Sequence, residues 1–408
     1  MSPWTLALRN VTRNRRRSFL TGAVVAFGFA AFALAGGFMA QTFAGLREGT
    51  IRGGTGHIQF ARAETFEGAE EASLEHGVVG SDRAAAVLRR DPAVEAVLPR
   101  IDFVGLLSNG ARSVPYLGIG LDPAAEALVM ESRSTVVAGR WLDASDADGV
   151  VLGTGLARAL GLATGGHATL FSTTPDGVLN AVDVTVVGLA DVSVKELNDR
   201  YLATPVPVAE KLLMASGTVS KLVVMLKPGA DEEAVRLRLS AALSATGLAL
   251  ESRSWRQLGA FYAQVRLLYI GIFGFMGIVL VVVVLLACAN TMTMATTERI
   301  REIGTLRAIG TPPAGIRRMF VAEGVLLALF GCAAGAVFAL VVRAVLNASG
   351  IRLPPPPGAT HGMPIHVAFF PITYGAGFLA MLATLALASY FPARRASRVP
   401  IVEALTHV

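Results

Sequence analysis

The chain has 408 residues, of which 53% are hydrophobic and 16% charged, against about 25% charged in an ordinary soluble domain. Its charge is divided by region. Residues 47–262 hold 20 basic and 26 acidic side chains, and the rest holds 16 arginines against Glu298, Glu302, Glu323 and Glu403. The excess positive charge lies beside apolar runs, where membrane topology and anionic headgroups account for it, so nucleic-acid binding is excluded.

Residues 1–18 carry Arg9, Arg13, Arg15, Arg16 and Arg17 and read as an amphipathic segment ahead of the first apolar run, Phe19–Ala40. That run is longer than the apolar core of a signal peptide and no A-x-A site follows it, so it is expected to remain as a helix over 19–45.

Residues 46–262 read as a large mixed α/β domain. Strands are expected in "GHIQF", "VEAVLPRIDFVGLL", "SVPYLGIGL", "HATLFST" and "VDVTVVGLAD". Helices are expected over 81–90, with Ser81 or Asp82 as N-cap, and over 229–243, with acids at its start. The Gly-rich stretch 121–194 reads as an inserted subdomain. No G-x-S-x-G, H-E-x-x-H or nucleophilic cysteine occurs, so no catalytic residue is assigned. The carboxylate clusters "EGAEE" (67–71) and "DASDAD" (143–148) read as solvated loops. His57, His76, His167, His361, His366 and His407 show no metal-ligand spacing, so no metal or cofactor is assigned to this chain.

Three further apolar runs follow: Leu267–Ala295 within 263–295, Met319–Leu346, and Ala368–Phe391. Each is long enough for about 30 Å of hydrocarbon and must be helical there. A Pro-rich loop over 347–367 and a tail over 392–408 complete the chain. Cys288 and Cys332 lie inside apolar runs and read as small packing residues. Arginines collect before the first span, between spans 2 and 3 (Arg299, Arg301, Arg307, Arg317, Arg318) and after span 4 (Arg394, Arg395, Arg398). Both termini and the 2–3 connector are therefore expected in the cytoplasm, with 46–262 and the 3–4 loop outside. Glu323 is the only ionisable side chain well inside a span, which leaves no polar lining for a solute pore. Small residues crowd the spans (Gly28, Gly36, Gly37, Gly271, Gly274, Gly277, Gly331, Gly335). They fit either packing within the bundle or a dimer interface whose helices slide.

The connector, 296–318, is the most patterned part. Ile300, Ile303, Leu306 and Ile309 recur every third residue among Glu298, Arg299, Arg301, Glu302 and Arg307. That predicts a short amphipathic helix over 297–309, with Arg299 and Glu302 as an i,i+3 pair. Gly310 is the expected stop, and Thr311-Pro312 the N-cap and first residue of the helix leading into span 3. Glu323 is expected to pair with Arg318 or with a neighbouring helix.

"ERIREIGTLRAIGTPPAGIRRMFVAEG" resembles the signature segment of FtsX-like ABC transporter permeases. "YFPARRASRVPIVEAL" and "LALRNVTRNRRRSFLTG" resemble that family's closing and opening stretches. "DPAVEAVLPRI" and "VVLGTGLARALGLATGGHATL" are similar to the periplasmic core of its MacB and lipoprotein-releasing (LolC/LolE) branch. The resemblance implies a four-span permease of an inner membrane of Gram-negative type, with a periplasmic domain between spans 1 and 2. It implies that the connector is a coupling helix gripped by an ABC ATPase, and that 43–53 and 253–266 are stalks. On that reading Glu298, Arg299, Arg301, Glu302 and Arg307 face the ATPase and Ile300, Ile303 and Leu306 pack. Gly304 and Gly310 set close approach and termination, and Glu323, Gly331, Gly335, Arg394 and Arg395 serve the bundle and its membrane interface.

The chain has no G-x-x-x-x-G-K-[ST], so ATP and Mg²⁺ are expected on a separate ATPase dimer, with a second permease chain completing the transporter. Release of lipoproteins or another amphiphile is the leading function expected, with a periplasmic chaperone or adaptor as further partner. Adaptor-linked efflux, transmembrane signalling to cell-wall hydrolases, and an ATPase-free membrane sensor are the alternatives.

Overall fold

The computed structural model describes residues 3–67, 74–127, 129, 135–192, 194–354, 362 and 365–406. The chain divides into a helical unit (1–44, 265–352, 364–408) and a second unit (45–264, 353–363). The later part of "EGAEE" and residues 355–361, 363 and 364 of the Pro-rich loop lie outside the described residues.

Among the described residues four helices are long and apolar enough to cross a membrane. They are the span 1 helix (Arg15–Thr50), span 2 helix (Ala260–Glu298), span 3 helix (Pro313–Ser349) and span 4 helix (Pro371–Ala396). The first two have 36 and 39 residues. At 1.5 Å per residue they are about 55 Å long, well beyond a hydrocarbon core of about 30 Å. Span 1 ends in a π-helical turn, Ile51–Thr55. The expected second stalk, 253–266, is not one helix. Ser254 and Gln257 form a capping box that starts a short helix at Trp255–Leu258, and the chain breaks at Gly259 before span 2 begins at Ala260. Span 4 starts at Pro371 rather than Ala368. Ahead of it Val367 O accepts from Arg343 Nε (3.0 Å) and Asn347 Nδ2 (3.1 Å), and Ala368 N donates to Gly37 O (3.2 Å).

All four spans contribute to one apolar core, in which Phe29, Ala33, Val284, Cys288, Leu327, Cys332, Met381 and Leu385 are buried. Its small residues let the backbones close in. A Cβ on Gly331 would meet Val25 Cβ at 2.8 Å, and one on Gly335 would fall on the Ala26 carbonyl. Gly331 and Gly335 are thus the seam between spans 1 and 3 of one chain, which decides for bundle packing there. A Cβ on Gly271 or Gly274 meets nothing within 4 Å.

In the second unit twelve strands are described. These are β1 (Ile58–Ala61), β2 (Val78–Val79), β3 (Val94–Ser108), β4 (Ser113–Leu121), β5 (Thr135–Gly139) and β6 (Gly149–Gly153). After them come β7 (His167–Thr173), β8 (Leu179–Asp191), β9 (Tyr201–Pro205), β10 (Thr218–Val219), β11 (Lys221–Leu226) and β12 (Glu251–Ser254). Ten form one sheet in the order β12-β1-β11-β3-β4-β9-β6-β8-β5, and β7 joins β8 back to β3. The strands β3, β4, β9, β6, β8 and β7 therefore close into a ring. Alternation drives it, as along β8, where Val182, Val184 and Val186 are buried in one core. Gly105 sits where β3 meets β7, and any Cβ there would strike the Phe171 carbonyl. The stretch 121–194, expected as an inserted subdomain, supplies β5–β8 of this same sheet, and three of the ring's strands come from outside it.

The helix expected over 81–90 spans Ser81–Leu88, and its N-cap is Gly80 in the left-handed region (φ 69°), not Ser81 or Asp82. The later helix, Glu232–Ala245, is capped by Asp231, whose carboxylate accepts from Glu233 N and Ala234 N. In the "DASDAD" loop, Asp146 takes both Arg140 guanidinium nitrogens at 2.8 and 2.6 Å, and Asp143 accepts from Ser145.

Candidate functional site: the connector between spans 2 and 3

The span 2 helix stops at Glu298 because Arg299 leaves helical geometry (φ −108°, ψ 17°). The connector helix then covers Ile300–Ala308, shorter than the expected 297–309. Gly310, at φ 98°, turns the chain, and Thr311 N donates back to Leu306 O at 3.0 Å. Pro312 is the N-cap of the span 3 helix and Pro313 its first residue, one position later than Thr311-Pro312 would place them.

The break at Arg299 turns its side chain inward. Arg299 Nη1 donates to Glu323 Oε2 at 3.1 Å, and each side chain is 4% exposed. Arg299 Nη2 is buried with no hydrogen-bond partner among the described residues. The expected Arg299–Glu302 pair does not form. Glu302 accepts instead from Arg13 Nη2 (2.8 Å), on the N-terminal helix Pro3–Arg13, and Glu298 from Arg17 Nη1 (2.9 Å). A neighbouring-helix partner for Glu323 was one of the two expected; Arg318 is not that partner.

The apolar stripe is also revised. Ile303 is buried with Ile316, Phe320, Ala393 and Ala396, and Leu306 packs partly against them. Ile300 is half-buried, and Ile309 is 75% exposed because the helix ends before it. A tail helix, Ile401–Thr406, lies against the connector. A Cβ on Gly304 would come within 2.9 Å of Ala404 Cβ, and Arg307 Nη1 donates to Val399 O. Arg301 and Glu302 are exposed on the connector, and Arg394 and Arg395 are exposed in the last turn of span 4.

The connector is thus a short helix with fixed ends. It is held by a buried ion pair to span 3, two surface ion pairs to the N-terminal segment and an apolar footing on spans 3 and 4. From the sequence, Arg13 and Arg17 figure only among the arginines before span 1, and Val399 and Ala404 have no assigned role. The signal was there for the first two: Glu298 and Glu302 are among only four acids outside 47–262, and five arginines precede span 1.

A family model described as a MacB-like periplasmic core domain matches residues 18–242, and one described as the C-terminal part of FtsX-like permeases matches 273–401. The chain belongs to the FtsX-like ABC transporter permeases with a MacB-like periplasmic core domain. This permease is 27% identical over 339 residues to the lipoprotein-releasing system transmembrane protein LolC of Neisseria meningitidis serogroup B, covering 76% of this chain and 78% of that one. It is 25% identical over 333 residues to the LolE protein of Haemophilus influenzae, covering 78% and 79%. The periplasmic region of MacB from Actinobacillus actinomycetemcomitans aligns with 51% of this chain and 93% of its own, at 14% identity and a TM-score of 0.38. The FtsX-like match contains the whole connector and its footing on spans 3 and 4.

Proposed function

We propose that this permease couples ATP hydrolysis on a separate cytoplasmic ABC ATPase dimer to release of lipoproteins, or another amphiphile, from the inner membrane. Its termini and connector lie in the cytoplasm, and a second permease chain, identical or homologous, completes the transporter. The observation that carries the reading is the connector. A helix with both ends fixed, footed on two spans and bonded to a third element, passes a push into the bundle instead of bending. The outward residues left for an ATPase include Glu298, Arg301, Glu302, Thr305, Ala308, Ile309 and Gly310. Arg299, buried against Glu323, acts behind that face and not on it. The length of the similarity to LolC and LolE favours lipoprotein cargo, taken up outside the membrane by a chaperone or adaptor.

Reconstitution tests this. The permease, its co-purifying ATPase and a fluorescent lipoprotein are placed in proteoliposomes with a soluble lipoprotein acceptor. ATP-dependent transfer to the acceptor is the expected result. ATPase stimulation by soluble peptides or drugs, with no lipoprotein transfer, would overturn the cargo and leave efflux as the reading.

A further inference from the structure

At the connector end of the helical unit, a groove of about 620 Å³ opens between the N-terminal helix, span 3 and span 4. Trp4 and Tyr390 stand among the residues lining it, together with Arg317, Arg318, Val321 and Val325. Arg317 lies over the Tyr390 ring, 6.0 Å from its centre. The nearby arginines Arg13, Arg17 and Arg299 each have a carboxylate partner. Those partners use three of the four acids outside 47–262. Among the described residues, Arg317 and Arg318 have none.

We propose that this groove binds one anionic phospholipid, its phosphate on Arg317 and Arg318 and an acyl chain along Val321 and Val325. The shape argues for a lipid. From Arg318 to Val325 the helix climbs about 10 Å, so the groove runs from a cationic mouth onto apolar wall along a spanning helix. A free phosphate would use the mouth alone. Trp4 and Tyr390 are amphipathic side chains of the kind found at headgroup level. Charge complementarity sets the sign, since two guanidiniums with no acid beside them favour a phosphodiester with net negative charge over a zwitterionic headgroup. The bound lipid would fix the start of span 3, next to the connector.

The test uses the full chain in phosphatidylcholine nanodiscs containing a minor fraction of either brominated phosphatidylglycerol or brominated phosphatidylcholine. The quenching of Trp4 is read as wild type minus W4F. Phosphatidylglycerol is expected to quench at concentrations on the order of tenfold lower. R317Q/R318Q is expected to remove that preference and R317K/R318K to keep most of it. If the double variant does not elute as a single species, R318Q alone, at the exposed member, serves. Equal quenching by the two lipids overturns the proposal, as does a preference that survives R317Q/R318Q. Equal quenching combined with loss of ATPase binding in R317Q/R318Q overturns it too, in favour of an acidic protein surface.

Discussion

Arg299 and Glu323 are 24 residues apart, on opposite sides of the connector helix, and meet at 3.1 Å with both side chains buried. Neither was placed with the other by its sequence neighbours, and the pair ties the start of the connector helix to span 3.

Removing one member of this pair strands the other charge. Glu323→Leu is expected to destabilise the permease by about 3–5 kcal/mol, the usual cost of an uncompensated buried ion. The double variant Arg299→Met/Glu323→Leu is expected to recover most of the loss, because no charge is left buried. Thermal unfolding in detergent of wild type, both single variants and the double variant closes the cycle. Additive losses would show that the pair is not coupled.

The outer face of the connector has a separate test. Glu302→Lys sets a second cation beside Arg13, and Gly310→Leu puts a side chain at φ 98°, where it costs on the order of 1 kcal/mol or more. The combined variant is expected to insert and fold, and to retain ATPase activity in its complex, while losing stimulated transport. Coupled transport at the wild-type level would remove the connector from its proposed role.

Span packing predicts a contrast between glycines. Gly335→Leu drives a side chain into the Ala26 carbonyl and is expected to lower the melting temperature sharply or prevent monodisperse elution. Gly271→Ala and Gly274→Ala, whose Cβ atoms meet nothing within 4 Å, are expected to leave the single chain's stability unchanged. Equal effects at the two sets would mean that the seam between spans 1 and 3 is wrongly placed.

His57 predicts an acid sensitivity of the second unit. Its Nδ1 accepts from Leu226 N at 3.2 Å, so the imidazole is neutral, with its proton on Nε2. Burial pushes its pKa below the ordinary 6.5, and Arg47 adds to this, while Glu232, Glu48 and Glu95 oppose it. The unfolded chain therefore takes up the proton first as pH falls. The stability contributed is complete above about pH 6.5 and is lost as pH falls from there through the lower folded value. His57→Asn keeps an acceptor for Leu226 and is expected to flatten that part of the pH–stability curve, read by tryptophan fluorescence. An unchanged slope would mean that other groups carry it.

Four spans, a mixed α/β domain between the first two, and a helix–stop–helix connector can be read from the residues alone. These are written in local order: an apolar run of spanning length, strict alternation, a glycine after a charged amphipathic stretch. Gly310 is legible because a positive φ is a property of one residue. Tertiary structure alone decided which charges meet. Arg299 could have paired with Glu302 one turn away, and the break after Glu298 turned it inward instead, onto Glu323. That left Glu302 to Arg13 and Glu298 to Arg17. It also decided that Gly331 and Gly335 face span 1, that Ile309 leaves the apolar stripe, and that β7 closes the sheet onto β3. Each of these depends on where a distant segment lies, and side-chain periodicity carries no information about distance between elements.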